Sequence, residues 1–122
     1  MKTNILIVDD NTINLQLMKA LIEKEGWSAE TAIDGQNALN LFADNDYTLI
    51  LMDIQMPEMD GYEVTRRIRE QSRGNSIPII AITAYCLEET REMAMDAGFS
   101  DYLTKPVDPD GLISVINSYL TK

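Results

Sequence analysis

The sequence predicts an α/β domain with a parallel sheet covered by helices on both faces. Short apolar runs that fit strands alternate along the chain with segments whose apolar residues recur at helical spacing. The runs at 49–52 and 77–82 lack polar alternation, as is typical of strands buried on both faces of a parallel sheet. In total, five predicted strands alternate with five predicted helices, which favours right-handed crossover connections.

The first predicted strand is the run 4–8 (NILIV), which ends in two adjacent acids, Asp9 and Asp10. Either Asn11 or Asp10 can cap the helix that follows, and Gly26 would end that helix. The apolar positions expected to face the core in this helix are Ile13, Leu17, Met18 and Leu21.

The segment 27–33 alternates large residues with small or polar ones, as an edge strand would. Asp34-Gly35 forms the turn into the second helix. The apolar face of that helix consists of Ala38, Leu39 and Phe42.

The central strand is predicted within the stretch 47–61 (YTLILMDIQMPEMDG). Its apolar residues lead into one carboxylate, Asp53, after which Met56-Pro57 and Asp60-Gly61 break the strand and turn the chain. Ligands of open parallel sheets gather beyond the carboxyl ends of the strands, so Asp53 is where we expect the chemistry.

The remaining elements continue the alternation. Val64 and Ile68 mark a rather polar helix that is expected to end near Gly74, and the run 77–82 is a strand followed by Thr83. The last three predicted elements are a helix from about 87 to 97 closed by Gly98, a short strand at 101–103, and a helix opened by Asp108 and Pro109, with Leu112, Ile113, Ile116 and Leu120 facing the core.

Four of the five predicted strands bring a polar side chain to the same edge of the sheet. These side chains are Asp9 and Asp10, Asp53, Thr83 and Lys105. Three carboxylates brought together repel one another unless a cation or a proton shares the site. Mg²⁺ prefers oxygen ligands and leaves positions for phosphate oxygens, and a lysine beside it can hold a phosphoryl oxygen. An ionised aspartate in this setting is a competent nucleophile toward phosphorus.

Composition limits the possible partners. The chain of 122 residues is expected to form one domain over 1–122, with 45% hydrophobic residues and a net charge of −10. This charge disfavours direct binding to nucleic acid or to anionic membranes. No apolar run is long enough to span a bilayer, and the single cysteine, Cys86, cannot form an internal disulfide, so we expect a cytoplasmic protein.

Four motifs together resemble the receiver domain of response regulators in two-component signalling, over essentially the whole chain. They are LIVDDN (6–11), LILMDIQMPEMDG (49–61), ITA (82–84) and TKP (104–106). With Asn14 included, the pattern is most similar to receivers of hybrid kinases and to single-domain receivers. The resemblance implies a flavodoxin-like (βα)5 three-layer sandwich with the strand order 2-1-3-4-5.

The resemblance also implies a set of functions for individual residues. Asp53 would accept a phosphoryl group from a phosphohistidine, and Asp10, Asp53 and the backbone carbonyl of Gln55 would surround Mg²⁺ with the help of Asp9. By the same resemblance, Thr83 and Lys105 would grip the acylphosphate, and the Lys105-Pro106 peptide bond would be cis. Gln55 and Tyr85 would tune the lifetime of the phosphoryl group, and Tyr102 would pack inward as a switch. Without the resemblance, Tyr102 is an ordinary half-buried aromatic residue.

The chain contains no histidine. A histidine kinase or a histidine phosphotransfer protein must therefore supply the phosphoryl group, and a downstream effector protein would read the altered surface. We expect a signalling switch without an output domain in this chain, a monomer or weak dimer that catalyses only its own phosphotransfer and slow autodephosphorylation. The sequence fits both a free-standing regulator and a receiver taken from a hybrid kinase.

Three other functions fit parts of the pattern. A phosphatase of the haloacid-dehalogenase type needs a second aspartate two residues after the first, and Gln55 occupies that position. A flavodoxin-like FMN binder needs a first loop that accepts phosphate, which Asp9 and Asp10 would repel. A receiver-like domain that only binds partners would not need the complete set of site residues.

Overall fold

The computed structural model describes residues 3–71, 76–84 and 88–120, and they form five strands and five helices. In chain order the elements are β1 (Asn4–Val8), α1 (Thr12–Lys24), β2 (Ser28–Ala32), α2 (Gly35–Asp44), β3 (Leu49–Asp53), α3 (Gly61–Glu70), β4 (Ile79–Thr83), α4 (Glu88–Ala97), β5 (Asp101–Thr104) and α5 (Pro109–Leu120). The strands form one parallel sheet in the order β2-β1-β3-β4-β5. The predicted fold class and strand order are confirmed.

The sheet separates two apolar cores because successive side chains of a strand point to opposite faces. In β1, Ile5 and Ile7 pack with α1 and α5, whereas Leu6 and Val8 pack with α2, α3 and α4. All five residues of β3 and all five of β4 are buried. This two-sided burial explains the uninterrupted apolar runs of the two strands.

Polar side chains and glycines set the ends of several helices. Asn11 caps α1 and accepts hydrogen bonds from the N–H groups of Ile13 and Asn14, so it is Asn11 rather than Asp10 that performs this role. Asp34 and Asp60 cap α2 and α3 in the same way. Gly98 follows α4 with a φ of +106°, a left-handed conformation that glycine adopts without strain.

The predicted core face of α1 is partly wrong. Met18 is buried and Leu21 packs at the edge of the core, but Ile13 and Leu17 are 66% and 61% exposed. The side chains that face the sheet are instead Leu15, Met18 and Ile22. The helix is apolar on two adjacent stripes, and contact with the sheet selects the one that starts at Leu15.

The predicted end of α3 is also wrong, since the helix ends at Glu70. Gly74, near which we expected the end, lies outside the described residues. None of the helices within the described ranges combines the length and the apolar character that crossing a membrane requires.

Candidate functional site

The strand ends position the predicted site residues. Asp53 and Thr83 are the last residues of the adjacent strands β3 and β4. Asp9 directly follows β1, where its N–H donates to the carbonyl of Ala32 at 3.1 Å. Lys105 directly follows β5, and its N–H donates to the carbonyl of Thr83 at 2.8 Å. Backbone pairing therefore continues beyond the strands and brings the four residues to one edge of the sheet.

The three acids at this edge lie close together. One carboxylate oxygen from each of Asp9, Asp10 and Asp53 is within 4.8 Å of the other two. Asp9 and Asp53 are buried, whereas Asp10 is exposed. Two buried carboxylates and a third at the surface form an acidic pocket that opens toward solvent.

The two oxygens of Asp53 differ in their surroundings. Oδ1 accepts hydrogen bonds from the N–H of Gln55 and from Nζ of Lys105, both at 3.1 Å. Oδ2 is buried and has no hydrogen-bond partner among the described residues. Burial and, next, the charge of Asp9 raise the pKa of Asp53 to about 6, against the opposing effect of Lys105. Negative charge at Asp53 is therefore only partly compensated by the protein.

This incomplete compensation fits a bound cation. Oδ2 of Asp53, to which no other described residue donates a hydrogen bond, and the neighbouring carboxylates of Asp9 and Asp10 provide oxygen ligands only. Such a set suits a hard divalent ion like Mg²⁺, which binds through one or two carboxylates and keeps several waters. The residues present thus fit the expected cofactor.

A glycine lets α3 begin directly against the site. A Cβ on Gly61 would lie 2.5 Å from the backbone oxygen of Asp53 and 2.8 Å from the Cα of Ile54. Any larger residue would push the helix start away from the end of β3. The Asp60-Gly61 pair therefore combines a helix cap with a close approach that only glycine permits.

The side chain of Gln55 bridges the ends of β3 and β4. Its Nε2 donates to Oγ1 of Thr83 at 3.0 Å, and its Oε1 accepts from the N–H of Ala84 at 3.2 Å. The sequence suggested a metal ligand through the backbone carbonyl and an influence on phosphoryl lifetime, but not this bridge. The side chain of Gln55 joins segments 28 or more residues apart, and no local pattern signals that pairing.

Asp9 is held by two asparagines. Its Oδ1 accepts from the N–H of Asn11 at 2.9 Å, and its Oδ2 accepts from Nδ2 of Asn14 at 3.4 Å. In the sequence analysis, Asn14 entered only through the resemblance to receiver domains, and no contact with Asp9 was predicted. The structure places Asn14 in the first turn of α1, where it can orient Asp9.

The other predicted residues have different outcomes. The Lys105–Pro106 peptide bond is cis, and the side chain of Lys105 is 28% exposed. Tyr102 is half-buried on β5, with the guanidinium of Arg91 6.0 Å from its ring centroid. Tyr85 lies outside the described residues. The switch role of Tyr102 and the lifetime roles of Gln55 and Tyr85 stay predictions.

A mostly apolar cleft of about 730 Å³ begins at the site, where Asp9 and Lys105 line it. It continues between α1 and the connection from β5 to α5, along Leu17, Leu21 and Val107. The exposed side chain of Leu17 thus borders an open path to the acidic pocket.

The fold and this edge define an α/β protein with an acidic pocket beside a lysine, and sequence comparison gives its family. The model of the family described as "Response regulator receiver domain" matches residues 5–117, so the chain belongs to the response regulator receiver family. It is accordingly a phosphorylation-dependent signalling switch. Receiver domains bind Mg²⁺ at an acidic pocket and interact with histidine kinases or phosphotransfer proteins and with effectors.

Individual relatives agree with the family. The polar-differentiation response regulator DivK of Brucella ovis is 37% identical over 98% of both chains. Hybrid signal transduction histidine kinase I of Dictyostelium discoideum is 41% identical over 97% of this chain, which spans only 7% of that kinase. The receiver domain of sensor histidine kinase PA1611 from Pseudomonas aeruginosa PAO1, solved with a magnesium ion coordinated in its active site cleft, has a TM-score of 0.91 and 35% identity over the whole of both chains.

Proposed function

We propose that Asp53 is the phosphoryl acceptor of this receiver domain and that the acidic pocket binds Mg²⁺. The observation that carries the proposal is the carboxylate of Asp53: its Oδ2 is buried and has no hydrogen-bond partner in the described part of the chain, while its Oδ1 contacts Lys105. A buried polar atom without a hydrogen-bond partner is costly, and a catalytic role or a bound ion is among the usual reasons for one. The raised pKa of Asp53 is a second feature typical of functional sites. A bound cation or a new covalent bond would remove that cost.

In the proposed reaction, a carboxylate oxygen of Asp53 attacks the phosphorus of a phosphohistidine. The oxygen–phosphorus bond forms while the nitrogen–phosphorus bond breaks, and the leaving imidazole takes a proton from solvent. Lys105, already 3.1 Å from Oδ1, follows the charge onto the phosphoryl oxygens, and the hydroxyl of Thr83 donates to one of them.

Asp10, Asp53 and the backbone carbonyl of Gln55 would hold the metal, with Asp9 assisting. When bound, Mg²⁺ supplies positive charge that offsets the carboxylates and the phosphoryl oxygens. The proposal is supported by the three acids, whose carboxylate oxygens lie within 4.8 Å of one another.

The signal would pass from Thr83 to Tyr102. When the hydroxyl of Thr83 turns toward the phosphoryl group, the half-buried ring of Tyr102 can pack inward and change the face formed by α4, β5 and α5. Moving a switch from 1:99 to 99:1 takes about 5.5 kcal/mol, whereas a hydrogen bond to a charged group contributes about 1.5–3 kcal/mol. We therefore propose a partial shift that binding of the effector completes.

The phosphodonor would approach along the cleft beside α1. Because the chain has no histidine, the donor histidine belongs to a partner protein and must reach Asp53 from outside. The cleft leads to Asp9 and Lys105, and the exposed side chain of Leu17, which lines it, offers apolar contact area. In Leu17→Asp, transfer from a phosphorylated protein donor should slow about tenfold, while acetyl phosphate, which needs no docking surface, should react as before.

The remaining expectations are part of the same proposal. Residues 1–122 act as one domain, a monomer or weak dimer located in the cytoplasm, which catalyses its own phosphotransfer and slow dephosphorylation but turns over no other substrate. A net charge of −10 supports the absence of direct nucleic-acid binding.

The decisive experiment is incubation with acetyl phosphate and Mg²⁺, followed by intact mass analysis. We expect one phosphoryl adduct in the native protein, none after chelation of the metal, and none in Asp53→Asn. An adduct that persists in Asp53→Asn contradicts the assignment of Asp53. Sustained hydrolysis of a small phosphate ester would instead favour the phosphatase considered from the sequence.

A further inference from the structure

The amide of Gln55 makes its two contacts with groups that lie side by side at the end of β4. Oγ1 of Thr83 and the N–H of Ala84 both point at this one planar group, at 3.0 and 3.2 Å. The N–H of Ala84 can only donate, so the amide oxygen must face it and the amide nitrogen must face Thr83. The orientation of the amide follows from its partners, and we refer to this bridge over Thr83 and Ala84 as the Gln55 clamp.

The clamp stands next to the proposed phosphorylation site. The N–H of Gln55 donates to Oδ1 of Asp53 at 3.1 Å, and the N–H of Ile54 donates to the carbonyl of Ile82 at 3.0 Å. The backbones of the two strand ends are therefore fixed beneath the clamp. The side chain of Gln55, which is exposed, is the part of the bridge that can leave without disturbing the sheet.

We infer that in the resting protein the Gln55 clamp occupies the N–H of Ala84 and one acceptor position of Oγ1 of Thr83, and that a phosphoryl group on Asp53 must displace it to accept from the N–H of Ala84. This inference rests on the proposed function, since it takes Asp53 as the phosphoryl acceptor. It assigns the side chain of Gln55 a positioning role that is separate from its backbone carbonyl.

Displacement of the Gln55 amide by a phosphoryl group follows from the strengths of the competing hydrogen bonds. A phosphoryl group presents oxygens that only accept, so it can replace Oε1 of Gln55 as the acceptor for the N–H of Ala84. The hydroxyl of Thr83, which accepts from Nε2 in the clamp, would instead donate its own proton to the phosphoryl group. The phosphoryl oxygens are anionic, and hydrogen bonds to an ionised acceptor are about twice as strong as neutral ones. The N–H of Ala84 therefore favours the phosphoryl oxygen over Oε1 of Gln55. The hydrogen bonds of the clamp must be broken first, which reduces the free energy gained when the phosphoryl group binds the end of β4. The clamp therefore stabilises the resting arrangement relative to the phosphorylated one.

Two substitutions separate the hydrogen bonds of the clamp from its bulk. Gln55→Met keeps the length of the side chain but removes both hydrogen bonds, and Gln55→Ala removes bulk as well. Both variants keep the backbone carbonyl that is proposed to hold the metal, and Mg²⁺ is kept saturating so that a change in metal affinity does not affect the comparison. Gln36→Met is the matched control, because Gln36 is exposed on α2 and bonds only to Asn40 among the described residues.

The first measurement is amide hydrogen exchange at Ala84 by NMR without metal or phosphodonor. If the clamp protects this N–H, exchange should become several-fold faster in Gln55→Met and remain unchanged in Gln36→Met. The second measurement is titration with beryllium fluoride, a phosphoryl mimic, at saturating Mg²⁺. Removing the two neutral hydrogen bonds of the clamp, one part-buried and one exposed, should tighten binding about fivefold in both Gln55 variants.

Each outcome bears on a defined statement. Unchanged exchange at Ala84, or equal or weaker beryllium fluoride binding in Gln55→Met, overturns the inference. Tighter binding in Gln55→Ala alone also overturns it, since bulk rather than hydrogen bonding would then be responsible. If the native protein fails to bind beryllium fluoride with Mg²⁺, the proposed function fails, whereas the exchange measurement still reports on the clamp itself.

Discussion

A charged side chain lies at each end of the parallel strands, and its surroundings differ between the two ends. We call the end where the strands begin the amino edge and the end where they finish the carboxyl edge. At the amino edge, all three nitrogens of the Arg69 guanidinium donate to acceptors: the carbonyls of Gly98 and Ile77 at 2.9 and 2.5 Å, and Oγ of Ser100 at 3.3 Å. At the carboxyl edge, Asp53 is fully buried, and its Oδ2 has no partner among the described residues. The charge of Arg69 is therefore compensated by hydrogen bonds within the protein, whereas the charge of Asp53 is compensated only in part.

The difference separates structure from function. Arg69 joins the end of α3 to the segment before β4 and to the turn after α4. Burial lowers the pKa of Arg69, and its hydrogen bonds compensate for the loss of water. Asp53 instead has a pKa raised by burial and by Asp9. A protein that tolerates such an uncompensated acid loses stability there, and the loss is recovered when a ligand binds. The comparison predicts that changes at the carboxyl edge alter chemistry and can increase stability, whereas changes at the amino edge reduce stability and leave the chemistry intact.

The largest expected effect is a gain of stability in Asp53→Asn without metal. The pKa of Asp53 is about 6 when folded against 3.8 ordinarily, so the folded protein binds this proton more tightly than the unfolded chain does. The resulting stabilisation is fully present below pH 3.8 and is lost as the pH rises through 6. At pH 7 ionised Asp53 should therefore cost up to about 3 kcal/mol, and Asn does not titrate.

Urea unfolding in the presence of a chelator measures this difference. Asp53→Asn should exceed the native protein in unfolding free energy at pH 7, and the gap should close toward pH 4. Excess Mg²⁺ should narrow the gap at pH 7 by stabilising the native protein through binding. Equal stability of the two proteins in chelator at pH 7 would contradict an uncompensated charge at Asp53.

The next effect concerns the cation at the carboxyl edge. In Lys105→Met, Asp53 loses the charge that keeps its pKa down, and the phosphoryl oxygens lose a charged donor. Phosphorylation by acetyl phosphate at saturating Mg²⁺ should slow by about 100-fold, the equivalent of one strong charge-assisted hydrogen bond. Because Lys105 partly offsets the charge of the fully buried Asp53, its loss should also lower the free energy of unfolding at pH 7, by about 1–3 kcal/mol. A variant that is phosphorylated at the native rate would remove Lys105 from the proposed mechanism.

The parts of the site predicted from the sequence are those encoded locally. A carboxylate, hydroxyl or lysine directly after a strand reaches the edge of the sheet whatever the details of packing, so Asp9, Asp53, Thr83 and Lys105 could be placed in advance. The fold followed from the same local patterns, because strands buried on both faces differ visibly from amphipathic helices.

The parts that were not predicted depend on contacts between distant segments. The stripe of α1 that faces the sheet is chosen by packing, so Ile13 and Leu17 were wrongly assigned to the core. The Gln55 clamp joins residues 28 and 29 positions apart, and Arg69 reaches Gly98 across 29 positions. A single glutamine or arginine on a polar segment carries no sequence pattern that distinguishes such a bridge from an ordinary solvated side chain.

The smallest of the three effects tests the amino edge. In Arg69→Met, the carbonyls of Ile77 and Gly98 lose their guanidinium donor at a partly buried position, which should cost about 2 kcal/mol of unfolding free energy.

Arg67→Met is the matched control, because Arg67 lies two positions earlier in the same helix and its side chain is 50% exposed. Its pair with Glu63 should contribute no more than about 0.5 kcal/mol. Both variants should be phosphorylated by acetyl phosphate at the native rate, because Arg69 bonds to Gly98, Ile77 and Ser100 at the amino edge and Arg67 pairs with Glu63 on α3. If Arg69→Met unfolded like Arg67→Met, or if it slowed phosphorylation while remaining folded, the division between a structural and a chemical edge would not hold. A loss of stability with the native rate of phosphorylation would place the two functions at opposite ends of the same strands.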